Sequence, residues 1–178
     1  NYVASTYTKY LKNNIGVVTC NKIACSDNYE NYIKLKNLSK KYNTPFLFET
    51  NVGAGLPIID TLNHLIASGD KIKKIQAILS GSLNFIFNNY NTTRSFRDVV
   101  YDAMKKGYTE PDPKIDLSGV DVSRKILILA RECGHKVELE DVVNYKFLSD
   151  DCLNSINNDD LFKNLLKNEK HFKDLYNK

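Results

Sequence analysis

The chain has 178 residues, 42% of them hydrophobic, and a formal net charge of +4 from 25 basic and 21 acidic side chains, enough for one ordinary domain or for one domain and part of another. The charges are interspersed, with lysine pairs at Lys40-Lys41 and Lys73-Lys74 but no long basic block, so the footprint of a nucleic-acid binder is missing. Cys20, Cys25, Cys133 and Cys152 form no C-x-x-C pair and no cluster with histidine, and no run approaches the roughly 18–20 apolar residues of a membrane span; this excludes a zinc motif, a disulfide framework and a spanning helix, and fits a reducing, cytoplasmic setting.

The opening "NYVASTYTKYLKNN" lacks the charged and apolar regions of a signal peptide, and its Tyr7, Tyr10 and Leu11 suit one helical face. "IGVVTCN", residues 15–21, has the short apolar run of a buried strand. In "SDNYENYIKLKNLSKKYN", Ser26 or Asp27 is the candidate N-cap of a helix that ends before Pro45. "PFLFET", residues 45–50, reads as a second buried strand. The first fifty residues thus predict the end of an alternating α/β arrangement with parallel strands. "NVGAGLPIIDTLNHLIASGD" predicts a glycine turn and a helix, with Ile58, Ile59, Leu62, Leu65 and Ile66 at spacings of three and four and Gly69 as its stop. "KIKKIQAIL", residues 71–79, predicts a strand with one irregular step. "SGSLNFIFNNY" is a loop entering a helix, and "SFRDVVYDAMKKG" a further helix capped by Ser95 and stopped by Gly107. Beyond residue 118 come a helix from about Gly119 to Cys133, a strand candidate "VVNYKFL" at 142–148, and a polar tail. In that tail Leu161, Phe162, Leu165, Leu166, Phe172 and Leu175 recur at helical spacing.

Three stretches offer chemistry. The first is "GYTEPDPKIDLSGVDVSRK", residues 107–125, which sets charge against the apolar block "ILILA". Ser118 to Asp121 matches a capping box, and Asp121 with Lys125 makes an i,i+4 pair, so capping alone accounts for part of it. The block from Ile126 to Ala130 covers every direction around a helix axis and implies burial on nearly all sides. Lys125 shares a stripe with Asp121 and Ile128, so it is expected to be partly desolvated and suited to proton exchange. Glu110, Asp112 and Asp116 precede it on a loop stiffened by Pro111 and Pro113. Carboxylates beside such a lysine suit a small cationic or zwitterionic substrate with a group that gains or loses a proton.

The second stretch, "NVGAGLP", lacks the third glycine of a dinucleotide fingerprint. It reads as a tight turn before a helix, with exposed carbonyls and Glu49 as oxygen donors for a loosely bound cation. The third, "TCNK", ends a predicted parallel strand, where α/β sheets bind ligands, and makes Lys22 a second candidate. His64, His135 and His171 are scattered, and Cys20, without a paired histidine, reads as a packing residue.

"ETNVGAGLPII", "ILSGSLNFIF" and "GYTEPDPKIDLSGVDVSRKILILARE", in this order, resemble homoserine dehydrogenase, most of all the form fused to aspartokinase. The resemblance covers roughly Val17 to Val142, and the tail beyond Asp150 carries no recognisable motif. It implies an α/β fold: a remnant of a Rossmann-type nucleotide-binding domain over 1–50, a substrate-binding, catalytic and dimerisation domain over 51–150 with a sheet covered by helices, and a helical tail over 151–178. It further implies oxidation of L-homoserine to L-aspartate 4-semialdehyde, or the reverse, with NADP or NAD. Lys125 is then the catalytic proton carrier and Lys22 lies near cofactor and substrate. Glu110 and Asp121 hold homoserine, Asp116 supports the site, and Gly107 with Glu110 approaches the cofactor. Glu49 and the carbonyls of Val52, Ala54 and Leu56 form a sodium-like monovalent cation site. A homodimer is implied, and neither a nucleic acid nor a membrane is an expected partner. The family's first strand and glycine-rich phosphate loop, and its returning C-terminal segment, are not in the chain, so an excised core with low activity of its own is expected. The alternative is a non-catalytic assembly or regulatory module that keeps the fold; a third possibility is a relative acting on another semialdehyde or amino alcohol.

Overall fold

Tyr7 and Leu11 lie one turn apart on helix α1 (Tyr2–Lys12) and both are buried, whereas Tyr10 is 42% exposed. The expected stripe is therefore narrower by one residue. These coordinates come from a computed structural model that describes residues 2–91 and 93–177. The expected outer limits of the first and last domains, residues 1 and 178, lie outside the described residues. Strand β1 (Val17–Val18) pairs in parallel with β2 (Phe46–Leu47), with Val17 opposite Phe46 and Val18 opposite Leu47. Between them run α2 (Ile23–Ser26) and α3 (Tyr29–Lys41). Ser26 is spent in α2, so neither Ser26 nor Asp27 caps α3. Asn28 does, its side chain accepting from the Asn31 N–H at 2.9 Å.

Helix α4 (Ile58–Ala67) follows the glycine turn, and Gly69 stops it with φ +88°. Helix α5 (Gly81–Asn89) is capped by Ser80 and α6 (Phe96–Lys105) by Ser95. A short α7 (Pro113–Leu117) with Asp112 as its cap precedes α8 (Val120–Glu132). The tail forms α9 (Asp150–Leu153), α10 (Asn158–Lys167) and α11 (Glu169–Tyr176), in which Leu161, Phe162, Leu165 and Phe172 of the expected stripe are buried, while Leu166 and Leu175 are exposed.

Two expected strands are not formed. Residues 71–79 and 143–148 carry no strand, and among the described residues they make no backbone–backbone hydrogen bond. A strand is stable only against a partner edge, and period-two patterning does not supply one. Several of their apolar side chains face out instead, Ile78 at 79% and Tyr145 at 89% exposure, while Leu148 is buried and Ile72, Leu79 and Phe147 pack against the cores. The result is a mostly helical α/β chain with a small parallel sheet among the described residues. Among those residues no helix is long and apolar enough to cross a membrane.

The chain divides into two compact units, one of Asn1–Leu79 and Ser123–Val143, the other of Ser80–Val122 and Asn144–Lys178. The first unit packs Tyr7, Leu11, Val17, Tyr32, Phe46, Phe48, Ile59 and Ile128 into one core. The second has a core of Ile86, Tyr90, Phe96, Val99, Leu161, Leu165 and Phe172. The units exchange chain within α8, which begins in the second and continues in the first.

Candidate functional site

In the second unit the charged stretch is a folded loop with a carboxylate at its centre. Gly107 ends α6 with φ +73°, a conformation that favours glycine, and lets the chain turn into Tyr108–Asp112. Glu110 is exposed, and its backbone N–H donates to Asp116 Oδ2 at 2.8 Å. The other oxygen, Oδ1, accepts from the Ser82 hydroxyl at 2.7 Å. Asp112 caps α7, accepting from the Lys114 N–H at 3.0 Å, and Pro113 takes the first helical position, where its missing N–H costs nothing. The tail holds the loop too: Asn158 Nδ2 donates to Pro111 O at 2.9 Å, and Lys114 Nζ donates to Ser155 O at 2.5 Å.

Gly119 sits at the start of α8 with φ +72°, where a Cβ would come within 3.1 Å of Asn144 Nδ2. The Ser118 hydroxyl accepts from the Val120 N–H at 3.3 Å and donates to Ile115 O at 2.8 Å. Asp121, half-buried in the first turn of α8, is engaged rather than free. The helix is less enclosed than its composition suggests: Leu127, Ile128 and Leu129 are buried, but Ile126 is 37% exposed.

In the first unit Lys125 is half-buried on α8, and its Nζ donates to Leu79 O at 2.7 Å. Lys22, also half-buried and engaged, stands at the N-cap position of α2, just past the carboxyl end of β1. Glu49 opens a 3-10 turn (Glu49–Asn51), and its two oxygens accept from the Ile59 and Asp60 N–H groups, each at 2.8 Å. This carboxylate therefore caps α4. The turn after it bends through Gly53 (φ +81°) and Ala54 (φ +52°). A Cβ on Gly53 would fall 2.5 Å from Ile58 Cγ1, so only glycine fits there. Leu56 O already accepts from the Ile58 N–H at 2.9 Å, and Val52 is buried.

Three features were not visible as site elements in the sequence. Ser82 sits inside an apolar helix start. Asn51 is fully buried, and its amide, with the nitrogen toward the β1 end, donates to Cys20 O at 2.9 Å and Thr19 O at 3.3 Å, tying the glycine turn to the segment that carries Lys22. Glu132, also buried, accepts from the Tyr32 hydroxyl at 2.5 Å and from Lys36 Nζ at 2.8 Å. Its neighbour Arg131 donates to Cys25 O at 2.8 Å and Asp27 O at 2.6 Å, and pairs with Glu138 at 2.8 Å. These bonds fix the rotation of α8 two turns beyond Lys125.

Cys25 is buried, and burial first, then the Glu132 carboxylate, pushes its thiol up to about 12. The Tyr32 phenol is pushed up by the same two causes. Cys20, expected to pack, is exposed because β1 has ended before it, and all four cysteines are free. His64 lies 3.6 Å from Asp60, and His171 bonds Phe147 O at 2.9 Å, both on the surface. Among the described residues no group of three His, Cys, Asp or Glu side chains could hold a metal ion; the expected cation set, largely of carbonyls, is of another kind.

The homoserine dehydrogenase family model matches residues 57–175, taking in the whole of Gly107–Lys125 and most of the tail. Over 140 residues the chain is 51% identical to the chloroplastic bifunctional aspartokinase/homoserine dehydrogenase 2 of Zea mays, covering 79% of this chain and 15% of that protein. A crystal structure of a Candida auris protein of unknown function superimposes with a TM-score of 0.89 at 33% identity, covering 98% of this chain and 50% of that one. A hyperthermophilic archaeal homoserine dehydrogenase in complex with NADPH does so with a TM-score of 0.68 at 30% identity, over 80% of this chain and 46% of that one. The chain thus spans about half the length of those two solved chains and a small part of the maize protein.

Proposed function

This chain belongs to the homoserine dehydrogenase family, and from that premise we propose that it carries the substrate-handling residues of an NAD(P)-dependent oxidoreductase that interconverts L-homoserine and L-aspartate 4-semialdehyde, on the route to threonine, methionine and isoleucine. The observation that carries the reading is that the family match, residues 57–175, contains the whole charged stretch from Gly107 to Lys125. Lys125 gives or takes the proton at the substrate oxygen, and Leu79 O, a neutral acceptor, keeps its ammonium in place between turnovers. Asp121, one turn earlier on the same helix, and Glu110 hold the hydroxyl and amino ends of homoserine. Asp116 supports the site by fixing the Glu110 backbone.

The nicotinamide, when bound, supplies hydride exchange at the carbon that bears the substrate oxygen. The residues present fit part of such a cofactor. Lys22 stands past the carboxyl end of a parallel strand, where nucleotides bind in α/β folds. By the family resemblance Gly107, bare of a side chain, and Glu110 also approach the cofactor. The turn at Gly53 does not fit a pyrophosphate, since Ile58 fills the space beside it. The NADPH complex of the archaeal relative supports NADP(H) as the cofactor. Residues 1–50 are then the remnant of a nucleotide-binding domain, 51–150 the substrate and dimerisation domain, and 151–178 its helical tail.

Glu49 with the carbonyls of Val52, Ala54 and Leu56 is an all-oxygen donor set suited to a sodium-like ion, and Glu49 retains lone pairs beyond those its cap uses. Segments 71–79 and 143–148, which among the described residues make no backbone–backbone hydrogen bond, suit strand pairing with a second copy in a homodimer. The maize relative supports a fusion to aspartokinase, and the free cysteines support a reducing compartment such as the cytoplasm.

The test is steady-state oxidation of homoserine by the intact protein with NADP+ and with NAD+, against a panel of other amino alcohols. Homoserine is expected to give the highest kcat/KM, and the rate to rise with sodium. Preference for another amino alcohol would redirect the substrate assignment, and no turnover of any would favour a non-catalytic assembly module.

A further inference from the structure

The start of α5, "SGSL", holds two hydroxyls whose protons can be placed by elimination. Ser80 Oγ accepts from the Leu83 N–H at 3.2 Å and lies 2.9 Å from Ser82 Oγ. Ser82 Oγ lies 2.7 Å from Asp116 Oδ1. An ionised carboxylate only accepts, so Ser82 spends its single proton on Asp116. Ser80 must then donate to Ser82. The four groups form a one-way chain of donors, from the Leu83 amide through Ser80 and Ser82 to Asp116, and the Glu110 amide closes on the second carboxylate oxygen at 2.8 Å. Ser82 is buried and 34 residues from Asp116 in sequence.

We propose that Ser82, ordered by Ser80, is a positioning residue that acts through Asp116: it aims one carboxylate oxygen so that the other holds the Glu110 backbone, and thereby sets where the Glu110 side chain meets the substrate amino group. This rests on the homoserine reading above for its effect on KM, but not for its effect on the loop. Asp116 sits on a helix of five residues, too short to fix a side chain unaided. Without Ser82 its carboxylate rotates, and the Glu110 amide loses its acceptor. A Ser that filled space alone would tolerate alanine, which differs from it by one oxygen.

Two readouts separate this role from general stability. Hydrogen exchange at the Glu110 amide in the intact protein should quicken about 10-fold or more in Ser82→Ala and return toward the parent rate in Ser82→Thr, which keeps the hydroxyl. In steady-state assays Ser82→Ala should raise KM for homoserine about 10- to 100-fold with a much smaller change in kcat. The double variant with Asp116→Asn should be no worse than Asp116→Asn alone, because both break one chain. Unchanged exchange at Glu110, or additive losses in the double variant, would overturn the proposal. Should Ser82→Ala not fold, Ser80→Ala gives the same signs at smaller size, and no change there would overturn it equally. A protein inactive on homoserine sinks the substrate reading while the exchange experiment still decides the role of Ser82.

Discussion

The two units bury different things. The first encloses an ionic cluster, with Arg131 and Glu132 both inside and Tyr32, Lys36 and Glu138 around them. The second encloses rings: Phe96 stacks on Phe172 with centroids 4.3 Å apart and meets Tyr90 edge-on at 5.2 Å. Hydrogen bonds are directional and ring packing is much less so. The first unit thus adds directional bonds along α8 to an apolar core of its own, in which the Phe46 and Phe48 rings lie 5.0 Å apart, while the second closes a loop and a tail around each other by packing.

The sharpest way to break this contrast is to remove each centre. Glu132→Ala leaves Lys36 and Tyr32 without their acceptor and is expected to cost about 3–5 kcal/mol in urea unfolding. Phe96→Ala opens a cavity and costs about as much, roughly 3–5 kcal/mol. Shape-preserving changes should then part them. Glu132→Gln keeps the volume but not the charge and should still cost about 2–3 kcal/mol. Phe172→Leu, which keeps the apolar surface, should cost about 1–1.5 kcal/mol. Equal losses for these two would mean that charge and volume are doing the same job.

Alkaline pH probes the first unit most strongly. The Cys25 thiol, at about 12 in the fold against 9.0 in the open chain, stays protonated where the unfolded chain has lost its proton. Its stabilisation is complete below pH 9 and lost as pH rises toward 12. The Tyr32 phenol, also raised, acts in the same direction, and so does Tyr90 in the second unit, raised to about 12 chiefly by desolvation with the Glu169 carboxylate adding to it. The urea midpoint should fall between pH 9 and 11, and less steeply in Cys25→Ala. A flat profile would contradict the burial of these groups. The smallest effect is local: Ser95→Ala removes the α6 cap, whose hydroxyl accepts from the Asp98 N–H at 3.1 Å, and should cost about 1 kcal/mol.

What the sequence shows plainly is whatever its own neighbours determine. Ser95 and Gly107 bracket α6, and Gly69 stops α4, because caps and left-handed stops are built within a few residues. The charged stretch is legible because its members are contiguous. The strand patterns at 71–79 and 142–148 misled because a strand needs a partner that the pattern does not name. Ser82 and Glu132 stayed hidden for the same reason: the partner of Ser82 lies 34 residues away, and Tyr32 lies 100 residues from Glu132. Asn51 looked like the first residue of a turn, and only its burial beneath the end of β1 gives it a role.

The central claim is that Lys125 carries the proton of a homoserine oxidation. The direct measurement is kcat for homoserine with NADP+ in the intact protein and its Lys125→Ala variant, with thermal unfolding followed in parallel. A loss of about 10²- to 10⁴-fold in kcat with little change in unfolding is the predicted result. Turnover retained within a few-fold would contradict it.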